Sequence, residues 1–249
     1  WFSDPFNSNY QKLLKNNDPS FKEWKIYVIG DDELDALVNA LEKNTTLKEL
    51  VFHGTRIRTA GASKIANQLW SNPGHPPKNT TLTVLSINNN SIEGTYGLAR
   101  MLEYNNTLKE LYIGGNDISD DIKEGYYGAQ AIANALKENK NSALTILHIG
   151  NNKIGDKGAI AFADMLKVNK TLTELYISGT LYDDHDKISD DGVFAFANML
   201  KVNKTLKILS IDDKISEAGA VTLAEALETN NALVYLNISN TSNTISKEI

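Results

Sequence analysis

The chain has 249 residues, of which 41% are hydrophobic and 22% charged, with no cysteine and a formal net charge of -6. This length allows one large domain or two small ones. The lack of cysteine excludes disulfides, thiolate metal ligands and cysteine nucleophiles, while the acidic balance disfavours nucleic acid and favours a protein partner with a basic or mixed surface.

The sequence opens on Trp1 rather than methionine and reads as a trimmed or processed piece. No apolar run nears the roughly 18–20 residues of a membrane span, so no membrane partner is expected, and a cysteine-free chain fits a cytoplasmic setting. Residues 1–31 stand apart from the rest. Asp4-Pro5 is a good helix start, and Tyr10, Leu13 and Leu14 give an apolar side, which predicts an N-terminal cap helix over 4–16. Ile26 and Val28 begin an atypical strand, followed by a helix over Asp32–Lys43.

Over residues 32–249 one unit recurs about seven times, the last in part. It comprises a Leu-x-x-Leu-x-Ile strand, a turn and an Ala-rich helix. The strand cores are Leu47-Leu50-Phe52, Leu82-Leu85-Ile87, Leu108-Leu111-Ile113, Leu144-Leu147-Ile149, Leu172-Leu175-Ile177, Leu206-Leu209-Ile211 and Leu233-Leu236-Ile238. Successive first leucines are 35, 26, 36, 28, 34 and 27 residues apart. The helical halves share a frame: Ala129, Ile132, Ala133, Leu136; Ala159, Phe162, Ala163, Leu166; Val193, Phe196, Ala197, Leu200; and Ala220, Leu223, Ala224, Leu227. Spacings of three and four put each set on one helical face. Asp156 and Asp190 are the expected helix N-caps, and Asn169 and Asn203 stand where a left-handed C-cap would close a helix. One strand and one helix cannot bury their apolar faces alone, but stacked neighbours can.

The run Leu144-Thr-Ile-Leu147-His-Ile149-Gly-Asn-Asn152-Lys-Ile154, followed by Asp156-Lys-Gly158-Ala159, resembles the ribonuclease-inhibitor-like leucine-rich repeats. The resemblance covers roughly residues 32–245. It implies a right-handed α/β horseshoe solenoid with a parallel concave sheet and outer helices. The family includes enzyme inhibitors, GTPase activators and sensor modules. Similar repeats occur in effectors that intracellular bacteria deliver to the host cytosol. This chain departs from the pattern where Thr55, Thr180 and Thr241 replace the asparagine present as Asn90, Asn116 and Asn152, and the sixth repeat is a residue shorter there. The ribonuclease inhibitor's cysteine richness is also absent, so its target does not carry over.

Three repeats are long, with insertions at 71–78, 120–127 and 181–187. The last two fall between strand and helix and should emerge on one rim, where Tyr126, Tyr127, Tyr182, Asp183 and Asp184 become candidate contacts. Side chains alternate along a strand, so with the leucines inward the concave face presents Glu49, Val51, His53, Val84, Glu110, Tyr112, Ile146, His148, Glu174, Tyr176, Ile208, Asp212 and Tyr235. Tyr112 and Tyr176 are equivalent positions, each two residues after a glutamate, and Ile146 and Ile208 should lie exposed beside them. Tyrosines and exposed apolar groups suit a protein contact.

No dinucleotide fingerprint, phosphate loop or zinc motif is present, and no cofactor is expected. Asp183-Asp184-His185-Asp186 is the best metal candidate, but such an acidic loop is more often solvated or presents charge to a basic partner, and no metal is assigned. Five Asn-x-Thr sequons begin at Asn44, Asn79, Asn105, Asn169 and Asn203; they follow the repeat and read as structural. The sequence therefore points to a non-enzymatic module, monomeric or in a heterodimer with its target, that binds and can inhibit a partner enzyme. The alternatives are a secreted bacterial effector acting on host proteins and a GTPase regulator using Arg56 and Arg58.

Overall fold

The computed structural model describes residues 14–71, 74–119, 128–179, 187–211 and 215–238, and the backbone of 246–248. Most of the expected cap helix and of the rim insertions therefore lies outside the described residues, as do Asp212, Thr180 and Thr241. Leu14 and Lys15 are helical, and Leu14 is buried.

Each leucine motif forms a short strand because its apolar side chains all face one way. The strands are β1 (Glu23–Ile26), β2 (Glu49–Phe52), β3 (Val84–Ser86), β4 (Glu110–Tyr112), β5 (Ile146–His148), β6 (Glu174–Ile177), β7 (Ile208–Ile211), β8 (Tyr235–Asn237) and β9 (Ser246–Glu248). They form one sheet in chain order. From β1 to β8 the strands run parallel, and β9 adds antiparallel to β8. Parallel neighbours require long crossovers, which the helices supply. These are α1 (Asp31–Leu41), α2 (Arg58–Leu69), α3 (Tyr96–Tyr104), α4 (Ala129–Glu138), α5 (Gly155–Val168), α6 (Asp190–Leu200) and α7 (Glu217–Thr229). Each helix packs on its chain neighbours, so the core is a continuous layer between sheet and helices.

The first strand departs from expectation. Val28 lies beyond it and is 59% exposed; the inward residues are Trp24 and Ile26, with Phe21 ahead of them. Phe21-x-x-Trp24-x-Ile26 is the repeat motif with aromatics in place of leucines. The first full helix spans Asp31–Leu41 rather than Asp32–Lys43, and its Glu33 side chain accepts from the Gly30 N–H at 2.7 Å.

Two asparagine ladders bound the core. At the strand entrance, Asn169 and Asn203 do not adopt the left-handed conformation expected of them; Asn169 is extended, at φ -68°. Their side chains do the closing instead. The Asn203 amide donates to Leu166 O at 2.7 Å and accepts from the N–H groups of Thr205 and Leu206, both at 2.8 Å. Asn105, Asn139, Asn169 and Asn230 likewise donate to Leu69, Leu102, Leu136 and Leu200 in the last turns of the preceding helices. Asn44, Asn79, Asn105, Asn169 and Asn203 are all buried with engaged amides, which supports the structural reading of the sequons. At the strand exit, Asn90, Asn116 and Asn152 form the second ladder. Thr55 joins it by donating to Asn90 Oδ1 at 2.8 Å. The turn before this ladder is left-handed at Gly54, Asn89, Gly115 and Asn151, which are glycine or asparagine because other residues adopt that backbone at greater cost.

Asp156 and Asp190 are not the N-caps of their own helices. The N-cap of α5 is Ile154 and that of α6 is Ser189. Asp156 instead reaches forward one repeat: its carboxylate accepts from Ser189 N (2.8 Å), Ser189 Oγ (2.6 Å) and Gly192 N (3.0 Å). Asp190 repeats the contact on Ser216, at the start of α7. A Cβ on Gly192 would lie 2.8 Å from Asp156 Oδ1, so glycine is needed for the approach. Asp156→Ala should cost about 1 kcal/mol, in the range of a lost cap. Hydrogen exchange should accelerate at the start of α6 while α5, which carries the substitution, stays protected; the reverse pattern would contradict the forward contact.

Candidate interaction surface

Because the leucines occupy the inner side of the sheet, the alternate residues form rows across its open side. Strand register gives one row as Lys25, Val51, Ser86, Tyr112, His148, Tyr176, Ser210 and Asn237. The parallel row is Glu23, Glu49, Val84, Glu110, Ile146, Glu174, Ile208 and Tyr235. Every described residue expected on this face belongs to these rows except His53. That residue follows β2 and stacks on Tyr27, with ring centroids 4.8 Å apart and planes at 10°. Glu49, Val84, Glu110, Tyr112, Ile146, His148, Glu174, Tyr176 and Ile208 are half-buried, and Tyr235 is 46% exposed. Ile146 and Ile208 are thus less open than expected, because neighbours on strands about 4.8 Å away screen them. Val51 is only 6% exposed, although it stands outside the leucine core.

The centre of the face is an aromatic row. His148 stacks on Tyr176 with centroids 5.5 Å apart at 22°, and lies 6.3 Å from Tyr112 at 33°. Tyr112 donates its hydroxyl to Glu110 Oε2 at 2.8 Å, and Tyr176 donates to Glu174 Oε2 at 3.0 Å. Burial and, secondarily, the Glu174 contact push the Tyr176 phenol up to about 12, and burial with the Glu110 contact likewise raises Tyr112. Both therefore stay protonated. The sequence placed Tyr112, His148 and Tyr176 on this face but did not read the histidine as stacked between the tyrosines; the signal was available, since His148 holds the same repeat position as each tyrosine.

Gly114 makes room for that ring: a Cβ there would lie 2.6 Å from His148 Nδ1. Nδ1 is buried and has no hydrogen-bond partner among the described residues. A proton on Nδ1 would have no acceptor, so the neutral ring with its proton on Nε2 fits the site. Burial lowers the His148 pKa below its ordinary 6.5, partly offset by its own backbone. The neutral ring is the favoured form, so its stabilisation is complete above about pH 6.5 and is lost as pH falls below it. Wild type should therefore lose thermal stability relative to His148→Phe as pH falls below about 6.5, with a constant difference at higher pH. A difference in melting temperature that stays flat across the whole range would contradict the buried, unpaired nitrogen.

Arg56 and Arg58 are exposed and lie off the sheet face. They line a cavity of about 350 Å³ where α1 meets the start of α2, with Asp31, Leu34, Gly61 and Lys64. Both arginines have positive φ, 58° and 59°, and Arg58 takes the left-handed position that Gly155 fills three repeats on. Among the described residues no group of three His, Asp or Glu side chains could hold a metal, and no helix is long and apolar enough to cross a membrane. The expected contacts Tyr126, Tyr127, Tyr182, Asp183, Asp184 and Asp212 lie outside the described residues.

A one-sheet solenoid of Leu-x-x-Leu-x-Ile strands, each returned by a helix and bounded by asparagine ladders, defines a leucine-rich-repeat fold. The family model described as Leucine Rich repeat matches residues 43–66, 78–95, 104–122 and 140–163. Leucine-rich repeats are thus recognised in these four segments of the chain. Among solved structures, internalin C2 of Listeria monocytogenes str. 4b F2365 is similar in fold, with 17% identity over 92% of this chain and 84% of its own and a TM-score of 0.52. The tropomodulin C-terminal domain of Caenorhabditis elegans matches at 13% identity over 92% of this chain and 93% of its own, with a TM-score of 0.41. The leiomodin-1 actin-binding site 2 matches at 17% over 94% and 79%, with a TM-score of 0.33. No curated protein matches the chain.

Proposed function

We propose that this chain is a non-enzymatic interaction module that binds a protein partner through the open face of its sheet and the adjoining strand-to-helix rim. The observation that carries the reading is the aromatic row Tyr112–His148–Tyr176, stacked and held by Glu110 and Glu174 on a face that no described element covers. Such a row presents rigid amphipathic area whose ordering cost is already met by the fold. A standard interface buries about 800 Å² on each side, which calls on the sheet face together with the adjoining rim. Inhibition of a partner enzyme needs nothing beyond occupancy of the face. The reading places the chain in the cytoplasm, or in a host cytosol if it is a delivered effector, as a monomer or a heterodimer with its target.

Regulation of a GTPase through Arg56 and Arg58 is the second reading. It draws on the two guanidinium groups having no described ion-pair partner, and meets the difficulty that Asp31 shares their cavity. The main reading is tested by identifying a partner through affinity capture, then comparing purified wild type with Tyr112→Ala/Tyr176→Ala and with Tyr104→Ala on helix α3. Loss confined to the sheet variant supports the reading; equal binding by all three overturns it.

A further inference from the structure

The Glu110–Ile146–Glu174–Ile208 row alternates acid and aliphatic side chains on neighbouring strands. With strands about 4.8 Å apart, the two glutamates stand roughly 10 Å from each other with Ile146 between them. Each uses only Oε2, for its tyrosine. Neither Oε1 accepts from a described residue, and neither carboxylate belongs to a described ion pair. Lys109 and Lys207 precede β4 and β7 and pair with neither glutamate. Among the described residues the two carboxylates on this half-buried face thus have no countercharge, and the aliphatic groups beside them are only partly covered.

Resting on the interaction reading above, we infer that this face takes a partner segment carrying a lysine or arginine flanked by apolar side chains, with its cation between Glu110 and Glu174 over Ile146. The two carboxylates supply charge-assisted acceptors, and the tyrosine hydroxyls fix their orientation in advance. Ile146 and Ile208 receive the flanking apolar groups, and the faces of Tyr112 and Tyr176 accept the cation's stem. An acidic segment would meet repulsion at both glutamates.

The test uses a synthetic heptapeptide of alternating leucine and lysine, titrated into the full chain at about 0.15 M salt, where charges beyond about 8 Å are screened. Its leucine–glutamate counterpart serves as a control. The lysine peptide should bind and shift amide resonances on β4 to β7, and the glutamate peptide should not. Glu110→Gln/Glu174→Gln should weaken binding about tenfold or more, as loss of two charge-assisted contacts implies. Glu225→Gln/Glu228→Gln on α7 removes the same charge elsewhere and should change it less than about twofold. Equal weakening by the two double variants would reduce the effect to general attraction and overturn the inference, as would no binding of the lysine peptide. If shifts map to the sheet face but the Glu110/Glu174 variant binds normally, the cationic class fails while the face survives. Shifts confined to the helices would remove both.

Discussion

Asn152→Leu should lower the melting temperature by roughly 10 °C. Asn152 is fully buried and serves four backbone groups: its amide donates to Ile113 O (3.0 Å), Ile149 O (2.8 Å) and, at the 3.5 Å limit, Gly150 O, while its carbonyl accepts from Ile118 N (3.1 Å). Leucine matches it in size but leaves Ile149 O and Ile118 N unpaired, whereas Ile113 O keeps the Asn116 amide and Gly150 O keeps the Gly115 N–H. Each buried orphan costs about 1–3 kcal/mol, so the total should reach about 4 kcal/mol. For a chain of this size that corresponds to the shift stated, at roughly 2–4 °C per kcal/mol. Exposed Asn141→Leu provides a control expected to stay within about 0.5 kcal/mol. A fall under about 2 °C for Asn152→Leu would mean that water reaches the ladder.

The second large effect is on binding. Tyr112→Ala/Tyr176→Ala should weaken a partner docked on the sheet face about a hundredfold, or about 3 kcal/mol, because tyrosines at the centre of an interface dominate its energy. Both side chains are only half-buried, so the fold should survive. The double phenylalanine variant separates area from orientation. It keeps the rings but releases Glu110 and Glu174, and should lose about tenfold if their fixed geometry matters. Calorimetric titration of each variant with the captured partner, alongside circular dichroism, reads both quantities. Undiminished affinity in the alanine variant would place the contact elsewhere.

Much of the fold was legible in the sequence because leucines at fixed spacing leave little choice of face. All seven leucine strand motifs, from Leu47 to Leu236, occupy the expected positions. Phe21 and Trp24 escaped notice because aromatics replaced the leucines while keeping the spacing. The helix ends were misjudged for a different reason. Asp156 and Asn203 have the side chains of local caps, but their partners lie 33 and 37 residues away, a distance that local capping rules do not consider. At the candidate surface, alternation alone placed Tyr112 and Tyr176. The stacking of His148 required the register between strands, and the clearance at Gly114 required atomic distances.

The long-range caps give the solenoid a sense of direction along its axis. Asp156, in α5, stabilises the beginning of α6, whereas Asn203, which follows α6, secures the end of α5. The repeats that carry Asp156 and Asp190 thus cap the helix start of the repeat after them, while their asparagines hold the helix end of the repeat before them. Excising an internal repeat would leave a donor set on one side and an acceptor set on the other, and these match each other. Removing the whole repeat that carries Asp190 would therefore leave Asp156 facing Ser216, whereas a cut made within that repeat would strand both contacts.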